Sequence, residues 1–195
     1  MTLKKSAFAV ASLLLASTSF ADLSNLPSGI YKVDPRHGYL LFSYSHFGLS
    51  EPQVGFNAFE AAIDLDADDP TQSGVEVTVD VASVDSRVDV FDDHLRGEDW
   101  FDAEAHPEIT FSATSITVSE GGYAISGDVT IKGITKPVTL SASIASLENH
   151  PIQRVPAIGV SATGTVNRSD FDLGAYAPAV SDEISLTIEA EFLLD

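Results

Sequence analysis

Ile184-Ser-Leu-Thr-Ile-Glu-Ala-Glu-Phe192 sets an apolar side chain at every second position and a small or polar one between, the period of an extended chain with one face buried. Val75, Val77, Val79 and Val81 alternate in the same way with Glu76, Thr78, Asp80 and Ala82. So do Leu40, Phe42, Tyr44 and His46 with Leu41, Ser43 and Ser45. Further strands are expected over 54–66, 107–117, 122–132, 137–147 and 156–167, which makes eight. Asp68-Asp69-Pro70, Ser73-Gly74, Glu120-Gly121-Gly122, Lys132-Gly133 and Asn149-His150-Pro151 supply the turns that separate them. One internal stretch, 86–97, has a helical period, with Ser86 as N-cap, Val88, Phe91 and Leu95 as its apolar stripe and Gly97 as its stop.

These connections are mostly too short for helical crossovers, so the expected fold is all-β: one antiparallel domain, closed as an eight-stranded barrel or split as a sandwich. Eight strands enclose either a filled interior or room for one small ligand. Periodicity alone favours the filled interior, although Ala61, Ala124, Gly127, Ala142, Ala162 and Gly164 are small members of the inward set.

Composition removes several function classes. The 195 residues carry 10 Lys+Arg against 29 Asp+Glu, a formal charge of −19, which opposes the phosphate contacts that nucleic-acid binding requires. There is no Cys, so thiol redox chemistry, zinc ribbons and disulfide scaffolds do not apply. Lys4 and Lys5 precede an apolar run from Ala7 to Ala16, and Ser19-Phe20-Ala21 offers small residues for cleavage. Residues 1–21 are therefore expected to be a cleaved secretory signal peptide, with 22–195 as the periplasmic domain and an N-terminal membrane anchor as the alternative. Loss of Lys4 and Lys5 takes the formal charge to −21.

A longer set of ordered motifs spans Gly29 to Phe192. It opens with Tyr31-Lys-Val-Asp34-Pro-Arg-His37, then Phe42-Ser-Tyr-Ser-His46-Phe-Gly48-Leu-Ser50 and Gly55-Phe56 with Phe59. Ala82-Ser-Val-Asp85-Ser86, Asp93-His94-Leu95-Arg96, Asp99-Trp-Phe-Asp102, His106-Pro107 and Thr110-Phe111 follow. Gly127-Asp-Val-Thr-Ile-Lys-Gly133-Ile-Thr-Lys-Pro137-Val is the most distinctive piece, and Asn167-Arg168-Ser-Asp-Phe171 comes last. In this order the sequence resembles the YceI-like family of exported, lipocalin-like, polyisoprenoid-binding proteins, except that Asp172 stands where the family pattern more often has Gly. The resemblance implies an eight-stranded barrel whose long apolar cavity takes up an isoprenoid or other long-chain lipid, often as a homodimer, with no established catalysis and no cofactor beyond a bound lipid or quinone.

The expected cavity lining is Phe42, Tyr44, Phe56, Phe59, Ile63, Val77, Val79, Phe111, Val129 and Ile131, with Phe91, Leu95, Trp100 and Phe101 closing one side. For each of these, plain core packing is the competing reading. His46, His94, Arg87 and Arg96 are expected to form a polar lip that meets a quinone carbonyl or a phosphate, because residues seven apart on a helix nearly superimpose and Arg and His donors suit such oxygens. The competing role is structural, orienting the 85–102 connection. No i,i+4 His pair or HExxH spacing supports a metal site. Asp64-x-Asp66-x-Asp68 opens like a calcium loop but lacks the Gly and the bidentate Glu that such a loop needs. No GxSxG, SxxK, P-loop or GxGxxG is present. Transient membrane contact is expected at a locally basic hairpin tip, Lys132, Ile134 and Lys136. The competing function is a non-catalytic, stress-related accessory protein whose barrel is solid.

Overall fold

The computed structural model describes residues 23–195; the expected signal peptide lies outside them. Ten antiparallel strands and one α-helix follow in the order β1 Gly29–Ser43, β2 Gln53–Phe56, β3 Phe59–Leu65, β4 Gly74–Asp80, β5 Val84–Asp85, α1 Asp89–Arg96, β6 Glu108–Ser119, β7 Gly122–Ile131, β8 Ile134–Leu147, β9 Ala157–Asn167 and β10 Glu183–Leu194. Eight of the strands close a ring, β1-β3-β4-β6-β7-β8-β9-β10, and β10 pairs back onto β1. This is the expected eight-stranded barrel, with β2 and β5 extending the pairing at one end of β1.

β1 is longer than its alternation suggests because one bulge joins two strand segments. Its first half pairs with β3, its second with β2, and its register against β10 shifts between Val33 and Gly38. The bulge is Asp34-Pro35-Arg36-His37, where the buried Asp34 carboxylate accepts from the Arg36 backbone N–H at 3.1 Å and from its Nε and a terminal nitrogen at 3.0 and 2.9 Å. His37 Nδ1 lies 3.1 Å away. The hydrogen bond from the Arg36 side chain, above all, holds the Asp34 pKa well below the usual carboxylate range. A depressed folded-state pKa contributes stability that is whole above the unfolded value of about 4 and is lost as pH falls through the folded one. Asp34→Asn should therefore lower the melting temperature at pH 7 and flatten its decline from pH 4 to pH 2, read by thermal melts across that range.

Two local expectations are corrected. The helix begins at Asp89, not Ser86: Arg87 has φ +66°, and the Ser86 N–H and hydroxyl both donate to the buried Asp92 carboxylate, at 2.6 and 2.5 Å. Ser86 therefore donates to the helix instead of capping it. Ala124 faces outward, because Tyr123, Ile125 and Gly127 hold the inward phase of β7. In the calcium-like turn Asp66 serves the backbone, its Oδ1 accepting from the Asp68 and Asp69 N–H groups.

The loops 44–52, 81–107, 132–133 and 168–182 gather at one end of the barrel, since they follow from the strand ends that the pairing places together. At the other end Leu23 and Leu26, 6% and 5% exposed, pack into one cluster with Tyr31, Leu65 and Phe192. The Tyr31 hydroxyl donates to the Pro27 carbonyl at 2.9 Å and ties this N-terminal segment down.

Candidate functional site: a hollow apolar barrel

The interior is not filled. A cavity of about 330 Å3 occupies the half of the barrel next to the gathered loops, and a second of about 110 Å3 lies in the other half. Leu40, Val77, Phe111, Leu140 and Ile188, one from each of five strands, line both cavities and form a girdle where the two meet. Glycine lets two girdle side chains lie close to the barrel wall. A Cβ at Gly127 would stand 2.5 Å from the Phe111 ring, and one at Gly164 would stand 2.6 Å from Leu140 Cδ2. The two side chains therefore lie back against bare backbone. The larger cavity falls within the range of about 300–1,000 Å3 that accommodates small molecules.

Most residues expected to line a cavity surround the larger one. Phe42 and Tyr44 reach it from β1 and its exit, Phe56 from β2, Val77 and Val79 from β4, Phe111 from β6, and Val129 and Ile131 from β7. Phe91, His94 and Leu95 of α1, with Trp100 and Phe101 after it, form a further wall. Phe42, Phe56 and Phe101 pack as an aromatic cluster, with ring centroids 5.6 to 6.2 Å apart. Phe59 and Ile63 line only the smaller cavity, one register further along the barrel. His46 borders the larger cavity from an exposed turn beyond the end of β1, where its N–H donates to the Ser50 carbonyl.

The expected polar lip is only partly present. Arg87 is absent from the cavity wall: because the helix starts two residues after it, Arg87 does not share a face with His94, and its backbone N–H donates to Asp85 at 2.7 Å. Arg96 pairs with Asp93 at 2.7 Å and reaches the Ala82 and Val84 carbonyls, anchoring α1 to the strand side. His94 accepts the Trp100 indole N–H at Nε2, 2.6 Å away, which places its own ring proton on Nδ1. Trp100 stacks in turn on Tyr176, so an aromatic run joins α1 to the 168–182 loop.

That loop contributes what sequence reasoning missed: Arg168, Phe171, Leu173, Tyr176 and Val180 all line the larger cavity. Arg168 is 7% exposed. It donates through Nε to the Ser181 carbonyl, through one terminal nitrogen to Leu173 and Ala175, and through the other to Val180, over 2.6 to 3.1 Å. Its guanidinium lies 5.7 Å from the centre of the Trp100 ring. Burial lowers the Arg168 pKa, opposed by the charges of Asp182 and Tyr44; burial raises that of Tyr44, opposed by Arg168. The only sequence signal was the Asn167-Arg168-Ser-Asp-Phe171 motif, because the loop has no period. Asp172 after it has φ +59°, a left-handed conformation that glycine adopts most easily.

Comparison with known proteins agrees with this architecture. A UPF0312 protein of Photorhabdus laumondii is 33% identical over 183 residues, covering 91% of this chain and 95% of that one. Among solved structures, Burkholderia cenocepacia BcnA superposes with a TM-score of 0.71 at 25% identity, over 82% of this chain and 98% of its own. A polyisoprenoid binding domain from Saccharophagus degradans shares the fold, with a TM-score of 0.60 at 13% identity, over 87% of this chain and all of its own. The model of the YceI-like domain matches residues 31–192, and with that match over the whole barrel the chain belongs to the YceI-like family.

Proposed function

We propose that this protein is a non-catalytic lipid carrier of the periplasm that takes the apolar tail of a polyisoprenoid, a quinone or a prenyl phosphate, into its barrel. The observation that carries this reading is the hollow, apolar-walled interior with a wide upper chamber among the loops. A solid-barrel accessory protein has no use for such a space. The binding domain of Saccharophagus degradans, similar in fold, supports the same ligand class.

Magnitudes favour exchange over capture. Burying about ten prenyl carbons is worth roughly 8 kcal/mol against water, near the free energy of micromolar binding before ordering costs. A bilayer buries the same carbons, so moving a tail from membrane to barrel gains little and release stays accessible. The loop end also carries exposed apolar side chains, Phe47 at 56%, Leu49 at 85% and Val90 at 77%, which suit brief membrane contact. The Lys132 turn sits at this end too, with its amine donating to the Glu98 carbonyl at 3.0 Å.

Native purification of the exported protein, organic extraction and mass spectrometry test the proposal. The expected result is a chain beginning at Asp22 with an isoprenoid lipid in the extract. A barrel free of lipid under several expression conditions, which also fails to take up added polyisoprenoid, would overturn the carrier role.

A further inference from the structure

We propose that the ligand of this cavity bears an anionic head, a phosphate monoester or a carboxylate, seated against Arg168 and Tyr44; this rests on the reading of the cavity as a lipid site. Among the described residues lining the larger cavity, Arg168 is the one permanently charged side chain, and no Asp or Glu lines it. Among the described residues no carboxylate lies within ion-pair distance of the guanidinium, although the charge of Asp182 acts on it from farther off. The Asp182 carboxylate is turned to the Ser169 N–H and hydroxyl, at 2.8 and 2.6 Å.

The four carbonyls around Arg168 take four of its five N–H donors, and none of them is charged; the acid that acts on the guanidinium, Asp182, does so without lining the cavity. An arginine does not give up its proton to relieve this. The fifth N–H, on the terminal nitrogen that also donates to Val180, remains for a guest. The Tyr44 hydroxyl makes no hydrogen bond within the described protein, and Tyr44 lines the same cavity within electrostatic reach of Arg168. A cation and a spare hydroxyl on an otherwise greasy wall match an acidic head with several acceptor oxygens. A neutral carbonyl would take the hydrogen bond but gain less from the charge.

Delipidated protein is titrated with geranylgeranyl monophosphate, geranylgeranoic acid and geranylgeraniol, which share one tail and differ in the head. The expected result is binding of at least one acid tenfold or more tighter than the alcohol; preference for the phosphate alone identifies a phosphorylated lipid, and preference for the carboxylate alone an acid lipid. Equal affinity for all three overturns the anionic head and leaves the lipid reading standing, whereas no binding of any of them removes both. Tyr44→Phe should weaken the preferred acid threefold or more with the alcohol unmoved. An equal loss on acid and alcohol counts against a head seated at Tyr44.

Discussion

Val77→Trp is expected to weaken binding of a geranylgeranyl tail by about a thousandfold while sparing a geranyl tail. Val77 belongs to the girdle between the two chambers and is paired across the strands with Ala61 on one side and Phe111 on the other. An indole at this position narrows the girdle further, beside Phe111 and Leu140, which lie against Gly127 and Gly164. Val77 packs against all three apolar clusters of the interior, so the larger side chain also carries a strain of about 1–3 kcal/mol, which lowers the melting temperature without touching the comparison between tails. The blocked passage denies a long tail the lower chamber. Excluding about five methylene equivalents, at roughly 0.8 kcal/mol each, costs about 4 kcal/mol, or nearly three decades in affinity. Displacement titrations with both tails, beside a thermal melt to show the variant folded, read the effect. Unchanged affinity for the longer tail in a folded variant would mean that the guest does not thread the girdle.

Arg168→Leu is expected to destabilise the protein by about 3–5 kcal/mol. Leucine retains apolar contact with the cavity but removes every donor that gathers the Leu173, Ala175, Val180 and Ser181 carbonyls. An orphaned buried acceptor costs about 1–3 kcal/mol, and part of that is recovered here where the loop opens to water near the exposed residues 175–179. For a chain of this size the loss corresponds to a fall of roughly 10 °C in melting temperature. Hydrogen exchange should show the damage concentrated at 173–181 and at Ser45, whose N–H and carbonyl are both tied to Ser181. A variant as stable as the parent would mean that the loop is held by its apolar residues alone.

The barrel was legible because one face of each strand is wet, which writes a period of two into the sequence. It failed where the backbone leaves that period. Asp34-Pro35 interrupts β1 with charge and a missing N–H, so the pairing of Gly29–Lys32 with β3 was not anticipated. In β2–β3 the reverse occurred: alternation runs unbroken through 54–66, yet Asn57 and Ala58 leave the ladder to bond the Ser83 carbonyl and hydroxyl. The apolar wall of the cavity was legible for the same reason as the strands, since inward residues line whatever the barrel encloses. The charged element was not. A helical superposition picked Arg87 on a turn that is not helical, whereas Arg168 depends on carbonyls brought around it by a loop whose path only the folded chain reveals.

Leu23 and Leu26, packed with Tyr31, Leu65 and Phe192 at the end opposite the loops, obstruct that end and make the barrel more cup than pipe. On the carrier reading proposed above, a vessel with one brim takes a tail tip first and gives it up tip last, with the polar group always nearest the door. Such a carrier would not bridge two bilayers at once; it would leave one, turn, and offer the same brim to the next.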